Sequence, residues 1–255
     1  MFRHLRQRKI RLLEIGMKDG ASAHLWTKYF PRAEVFGLDY DPTQAGAQLT
    51  TSRDGVRVAI GDQANVEDLA KMLEQTGGQF DIIVDDGGHA PTQQLVSFDY
   101  LFRHALKPGG IYSVEDVETS YWTNADIYSF HVEAGLHKRG TAMEVFKQLA
   151  DSVNRVYMAD HDLPEGMPGR FSVFRSGVDT LVDSVQFTAN LVLMTKKGVW
   201  GAGWDERNQQ NMYTAHLSTV DKAVQDTLGE AVDSIDKTLA TQKALLNDHV
   251  LPSAY

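Results

Sequence analysis

Through its first two-thirds the chain alternates short apolar runs with amphipathic stretches, punctuated by glycine and proline. Residues 10–16 read as a buried strand ending at a glycine turn, and Ala21 to Phe30 as a helix with Leu25, Trp26 and Tyr29 at helical spacing, closed by Pro31. A second strand covers 34–39 and a third 56–60, followed by a helix from about Val66 to Leu73. Residues 80–84 form a fourth strand. Gln93 to Ala105 form a helix with Leu95, Phe98, Leu101 and Phe102 inward, and a turn over 106–110 leads into a fifth strand, 111–114. Strands separated by helices of this length predict right-handed βαβ units and a parallel sheet covered on both faces.

Beyond residue 120, Thr141 to Met158 reads as one amphipathic helix with Phe146, Leu149, Val153 and Val156 on one side. Residues 182–187 and 191–195 are two strands too close in sequence to run parallel, so they predict an antiparallel hairpin at the sheet edge. A long, mostly polar helix or helix pair is expected from Ser218 to His249, broken at Gly229. Its stripe of Val224, Leu228, Ile235 and Leu239 is thin enough to need a partner surface. The expected organisation is a doubly wound α/β domain over 1–200 and a helical extension over 201–255, packed on the domain or on another subunit.

Composition narrows this little. With 255 residues and 42% apolar side chains, one α/β domain with a modest addition fits. No window has the roughly eighteen apolar residues of a membrane span. The basic start, Met1 to Ile10, leads into no apolar run or small-residue cleavage site, so no signal peptide is expected. The chain has no cysteine, which excludes disulfides, thiolate metal sites and a thiol nucleophile, and agrees with a cytoplasmic setting. A formal charge of -9 argues against a nucleic-acid binder and suits a neutral or cationic ligand.

Ligands of such sheets sit at the carboxyl ends of the strands, and the polar clusters fall there: Glu14 to Gly16, Asp39, Asp62 with Gln63, Asp85 with Asp86, and Glu115 with Asp116. Residues 14–20 have the form E-x-G-x-x-x-G, without the tight G-x-G-x-x-G that a dinucleotide pyrophosphate requires. S-adenosylmethionine (SAM) carries no phosphate and fits better. Asp39 is placed to accept hydrogen bonds from two ribose hydroxyls, and Asp62 to bind the adenine amino group with Gln63 beside it. Singly, each residue reads equally as a turn or a helix cap.

Asp86, Glu115 and Asp116 follow neighbouring strands and converge on one volume. Three carboxylates there repel one another unless a cation sits among them, and hard oxygen ligands favour Mg²⁺ or Mn²⁺. Methyl transfer to an alcohol has a use for such a cation and for a base, and His89 lies on the same loop as Asp86. The plainer alternative has both acidic pairs capping helices along a wet crevice, with His89 an ordinary loop residue.

The motifs LLEIG (12–16), FGLDYD (36–41), GDQ (61–63), DIIVDDGGH (81–89), LKPGG (106–110) and EDVETSYW (115–122) resemble the metal-dependent sugar O-methyltransferases of macrolide biosynthesis and related actinobacterial polysaccharide O-methyltransferases. The resemblance implies a class I methyltransferase fold with its seventh strand inserted antiparallel. It also implies SAM contacts near Glu14, Gly16, Asp39, Asp62 and Asp85, metal ligation by Asp86, Glu115 and Asp116, and His89 as base. It implies methyl transfer to a metal-held sugar hydroxyl of a saccharide, polysaccharide or glycosylated natural product; a homo-oligomer is expected separately, from the thin apolar stripe of the 218–249 helix. Family members usually have more chain before the first strand, so the lid is expected from 120–140, from another subunit, or from a start that is truncated here. Tyr121 and Trp122 form either an aromatic wall for a sugar ring or part of the core, and His131 and His137 are secondary candidates for the base. The alternatives are an NAD-dependent oxidoreductase on the same fold and a non-catalytic scaffold.

Overall fold

The computed structural model describes residues 2–40, 50–51, 55–123, 125–127, 130–132, 134–155 and 173–198. The expected extension over 201–255, and the part of the 141–158 helix beyond Arg155, lie outside the described residues.

Among the described residues, ten strands and five α-helices follow one another. The strands are β1 (Arg11–Ile15), β2 (Glu34–Asp39), β3 (Thr50–Thr51), β4 (Arg57–Ile60), β5 (Phe80–Asp85), β6 (Leu106–Glu115), β7 (Ala125–Ile127), β8 (Phe130–Val132), β9 (Val182–Thr188) and β10 (Leu191–Lys196). The helices are α1 (Ala21–Tyr29), α2 (Val66–Thr76), α3 (Pro91–His104), α4 (Ala142–Lys147) and α5 (Leu149–Asn154). Eight strands form one sheet in the order β3-β4-β2-β1-β5-β6-β10-β9, and β7 and β8 form a separate ribbon. The strands from β4 to β6 run parallel, whereas β10 lies antiparallel between β6 and β9, so the expected edge hairpin is present.

Strand identity follows from burial on both faces. Leu13, Ile15, Phe36, Leu38 and Ile83 pack on one side, with Leu69 and Met72 of α2, Phe98, Leu101 and Phe102 of α3, and Phe146 and Leu149 beyond them. Leu12, Val35, Ile82 and Val84 face the other side, against Ala23 of α1, Phe30 and Leu5. Alternate residues of one strand thus serve two cores, which makes these segments read as unbroken apolar runs. Helix α2 starts at an Asn65 cap, whose side-chain oxygen accepts the Glu67 and Asp68 amides, and stops at Gly77 with φ 77. Helix α3 begins with Pro91, and Gln93 Oε1 accepts the Ala90 amide at 3.2 Å.

Three expectations need correction. The single helix from Thr141 is two short ones that meet at Gln148, and Lys147 and Leu149 belong to different helices. The turn over 106–110 is contained in β6: Leu106 pairs with Phe80 and Ile111 with Ile82, so the intervening residues bulge out of the ladder. A short 3₁₀ helix over Val117–Tyr121 follows Asp116, where no element was expected.

Candidate functional site

The strand order reverses between β1 and β5, which run parallel, and a crevice of about 830 Å³ opens at their carboxyl ends. Its lining includes Gly16, Lys18, Asp39, Tyr40, Asp62, Gln63, Asp86, His89 and Asp116. Sheet register makes the convergence: Ile15 pairs with Asp85 and Asp85 with Val114, so the residues that follow in each strand emerge side by side.

Gly16 joins two of these loops. It has φ 89, and a β-carbon there would come within 2.1 Å of the Asp86 carbonyl oxygen. Backbone blocks that volume, so only glycine lets the β1 turn lie against the β5 loop. The Asp86 amide in turn donates to the Ile15 carbonyl at 3.0 Å.

Glu14 sits behind this turn, 1% exposed, and its Oε2 has no hydrogen-bond partner. Burial raises its pKa, the Ser22 hydroxyl and Trp26 indole oppose the rise, and Asp86 adds to it. The indole weighs on the carboxyl without making a hydrogen bond of good geometry, since Trp26 Nε1 is itself without a partner. Asp39 is half-buried at the end of β2, with Oδ1 accepting the Tyr40 amide at 2.8 Å. Asp62 Oδ1 accepts the Ala64 amide at 2.8 Å, so this residue also shapes its own turn.

Gln63 and Asp85 are turned inward. Gln63 Nε2 donates to Asp85 Oδ1 at 3.0 Å, and Gln63 Oε1 accepts the Gly88 amide at 2.7 Å. The Ser97 hydroxyl donates to Asp85 Oδ2, and the Tyr112 phenol does so at 3.4 Å. Asp85 is 1% exposed, and burial pushes its pKa up to about 6 against the pull of Ser97 and Gln63. The two side chains form a buried brace that ties the loop after β4 to the loop after β5.

Asp86 and Asp116 of the acidic cluster line the same crevice, together with His89. Among the described residues, Asp86, His89 and Asp116 offer ligand atoms that all lie within 4.8 Å of one another. His89 Nε2 stands 3.6 Å from Asp116 Oδ2. Glu115 is outside that group although it was expected in it, and it is felt there electrostatically. Burial first, then Asp86, Asp116 and Glu14, raise its pKa to about 7. Burial also raises Asp86; His89 and Lys18 oppose the rise while Asp116 adds to it.

Two backbone outliers mark the cluster. His89 has φ 59 and Asp116 φ 52, a left-handed region costly for residues with a β-carbon and concentrated at functional sites. The His89 carbonyl accepts the Thr119 hydroxyl at 2.7 Å, and the Glu115 carbonyl accepts Gln94 Nε2 at 2.9 Å.

Tyr121 is 42% exposed and Trp122 half-buried, and neither is part of the crevice lining. The side chain of His131 lies outside the described residues. His137 faces Glu144 at 3.5 Å, away from the cluster. The sequence reading missed Tyr40, 65% exposed at the crevice, and Lys18, beside Asp86. Tyr40 was legible as an aromatic directly after Asp39, the residue expected at a ribose.

Residues 13–117 match the family model described as a methyltransferase domain. The chain is 35% identical over 159 residues to L-olivosyl-oleandolide 3-O-methyltransferase of Streptomyces antibioticus, covering 60% of this chain and 39% of that protein. It is 33% identical to mycinamicin VI 2''-O-methyltransferase of Micromonospora griseorubida, covering 60% and 37%. To 8-demethyl-8-alpha-L-rhamnosyl tetracenomycin-C 2'-O-methyltransferase of Streptomyces olivaceus it is 30% identical, covering 79% and 50%. These matches thus span half or less of each relative's length. Among solved structures, MycE methyltransferase from the mycinamycin biosynthetic pathway, in complex with Mg and SAH, superposes with a TM-score of 0.61 at 28% identity, covering 77% of this chain and 47% of that one. The chain is therefore a homologue of SAM-dependent sugar O-methyltransferases, with their methyltransferase domain on a class I, Rossmann-like fold.

Proposed function

We propose that the chain is a SAM- and Mg²⁺-dependent O-methyltransferase acting on a sugar hydroxyl of a saccharide or glycosylated natural product. The observation that carries this is the meeting of Asp86, His89 and Asp116, with Glu115 raised to about 7, in a crevice whose lining also holds Gly16 and Asp39. The relatives' names agree: they methylate hydroxyls of L-olivosyl and rhamnosyl groups and of mycinamicin VI. That homology also favours methyl transfer over the NAD-dependent oxidoreductase and scaffold alternatives.

The residues fit both groups. Glu14 has a buried carboxylate oxygen without a partner, as a cationic amino-acid end would require, and Gly16 leaves backbone room for a close ligand. Asp39, Tyr40 and Asp62 all line the crevice, which supports assigning Asp39 to the ribose, Asp62 to the adenine amino group and Tyr40 to a ring face. Gln63 and Asp85 serve from behind, holding the loops in register. Asp86, Asp116 and Glu115 supply hard oxygen donors of like charge, which a divalent cation would hold together. When bound, SAM supplies the electrophilic methyl and the cation lowers the cost of negative charge on the acceptor oxygen.

The chain's own residues align the acceptor and move its proton. His89 Nε2 would accept the proton of the acceptor hydroxyl as that oxygen takes up the methyl group. Asp116 Oδ2, 3.6 Å away, stabilises the imidazolium so formed. His89→Ala is expected to lower turnover about 10²–10⁴-fold while SAM affinity by calorimetry is unchanged. Methyl transfer should be assayed against mono- and oligosaccharides and a glycosylated macrolide, with and without EDTA. Full activity in chelator sinks the metal role, and an active His89→Ala sinks the base.

A further inference from the structure

The hairpin between β9 and β10 turns through Ala189 and Asn190, and Asn190 has φ 59. Asparagine tolerates that region better than other residues with a β-carbon, so the turn alone would explain the residue type. Its side chain does something further. The antiparallel ladder pairs Leu191 with Glu115, which sets Asn190 opposite Asp116. Asn190 Nδ2 donates to Asp116 Oδ1 at 2.7 Å, and Asn190 Oδ1 accepts the Glu118 amide at 2.9 Å. One amide group therefore grips the strained loop on both sides of Val117. With Oδ1 engaged, it is Oδ2 of Asp116 that faces His89.

We propose that Asn190 is a positioning residue for the divalent-cation site, fixing Asp116 so that a single oxygen is presented to the ion. The inference rests on the metal reading given under Proposed function. Asn190 stands outside the crevice lining, so it acts through Asp116 and touches neither cofactor nor acceptor. A neutral donor on the spare oxygen fixes the rotamer without adding a charge, which is how outer partners orient carboxylate ligands. The edge hairpin thereby becomes part of the site.

The test is Asn190→Gly, which keeps the positive φ without steric cost and removes both hydrogen bonds. Binding of Mn²⁺ is read from the spectrum of the free ion by electron paramagnetic resonance, with SAM affinity and the thermal midpoint measured alongside. Mn²⁺ affinity is expected to fall about 10-fold while metal-free SAM affinity stays within about twofold. Thr188→Gly loosens the same turn without touching Asp116 and is expected to leave Mn²⁺ affinity unaltered. Equal Mn²⁺ affinity in wild type and Asn190→Gly overturns the proposal, as does an equal loss in both variants. A wild-type chain that binds no Mn²⁺ overturns the metal reading itself, an outcome distinct from those two.

Discussion

Replacing Asp85 by asparagine separates a charge from a shape at the centre of the brace. Burial holds the Asp85 carboxyl at about 6, up from an ordinary 3.8. The native state thus binds this proton more tightly than the unfolded chain does. Stability is shed as pH rises through the window between those values, and a difference of about two units amounts to roughly 3 kcal/mol once both forms are ionised. The amide should retain the Gln63 and Ser97 contacts and give up only the long donation from the Tyr112 phenol, 3.4 Å in the native chain. Its oxygen can accept Gln63 Nε2, and its NH₂ can donate to Ser97 Oγ, whose own proton then goes to the Gln93 carbonyl, 2.9 Å away. Urea unfolding from pH 4 to 8 is expected to show the variant within about 1 kcal/mol of wild type at the acid end and more stable by roughly 2–3 kcal/mol at pH 8. Parallel pH profiles would refute the buried-ionisation argument. SAM affinity should change by only a few-fold because Asp85 is 1% exposed. A loss of about a hundredfold, near 2.7 kcal/mol, would mean that Asp85 touches the cofactor directly, as the family resemblance implies.

Two further outcomes follow from the crevice. Glu115 titrates near 7, well above an ordinary 4.5, so protons compete with a cation below that pH; Mg²⁺ affinity by calorimetry is expected to fall about 10-fold from pH 8 to pH 6, and Glu115→Gln should flatten that dependence. Gly16→Ala meets both the φ of 89 and the 2.1 Å approach to the Asp86 carbonyl; a loss of about 3 kcal/mol or more in urea unfolding is expected, together with loss of SAM binding, and a variant as stable as wild type would show that the two loops can part freely.

Much of the fold was legible because the parallel strands are buried on both faces. Residues 80–84 carry Phe, Ile, Ile and Val around a single Asp, which leaves no polar stripe for a helix. The acidic pairs were legible because they close those runs at fixed points, and the register brings Asp86 beside Asp116 as expected. What escaped depends on long-range partners. Gln63, expected beside Asp62, does line the crevice, but its amide is also engaged by Asp85 and by the Gly88 backbone, 22 and 25 residues away. Nothing local to GDQ distinguishes an inward amide from an outward one. The break at Gln148 is equally invisible, since Phe146 and Leu149 keep helical spacing across it and both are buried. Asn190 falls between the two expected strands, and its role beyond the turn depends on side-chain hydrogen bonds to residues 72 and 74 positions earlier.

The left-handed backbone at His89 and Asp116 also limits how this site can decay. Mutational drift there is filtered by conformation before chemistry: valine, isoleucine or threonine would strain either loop, whereas asparagine or glycine would sit comfortably. A related chain that has lost the reaction should therefore tend to carry Asn or Gly at these two positions and still fold.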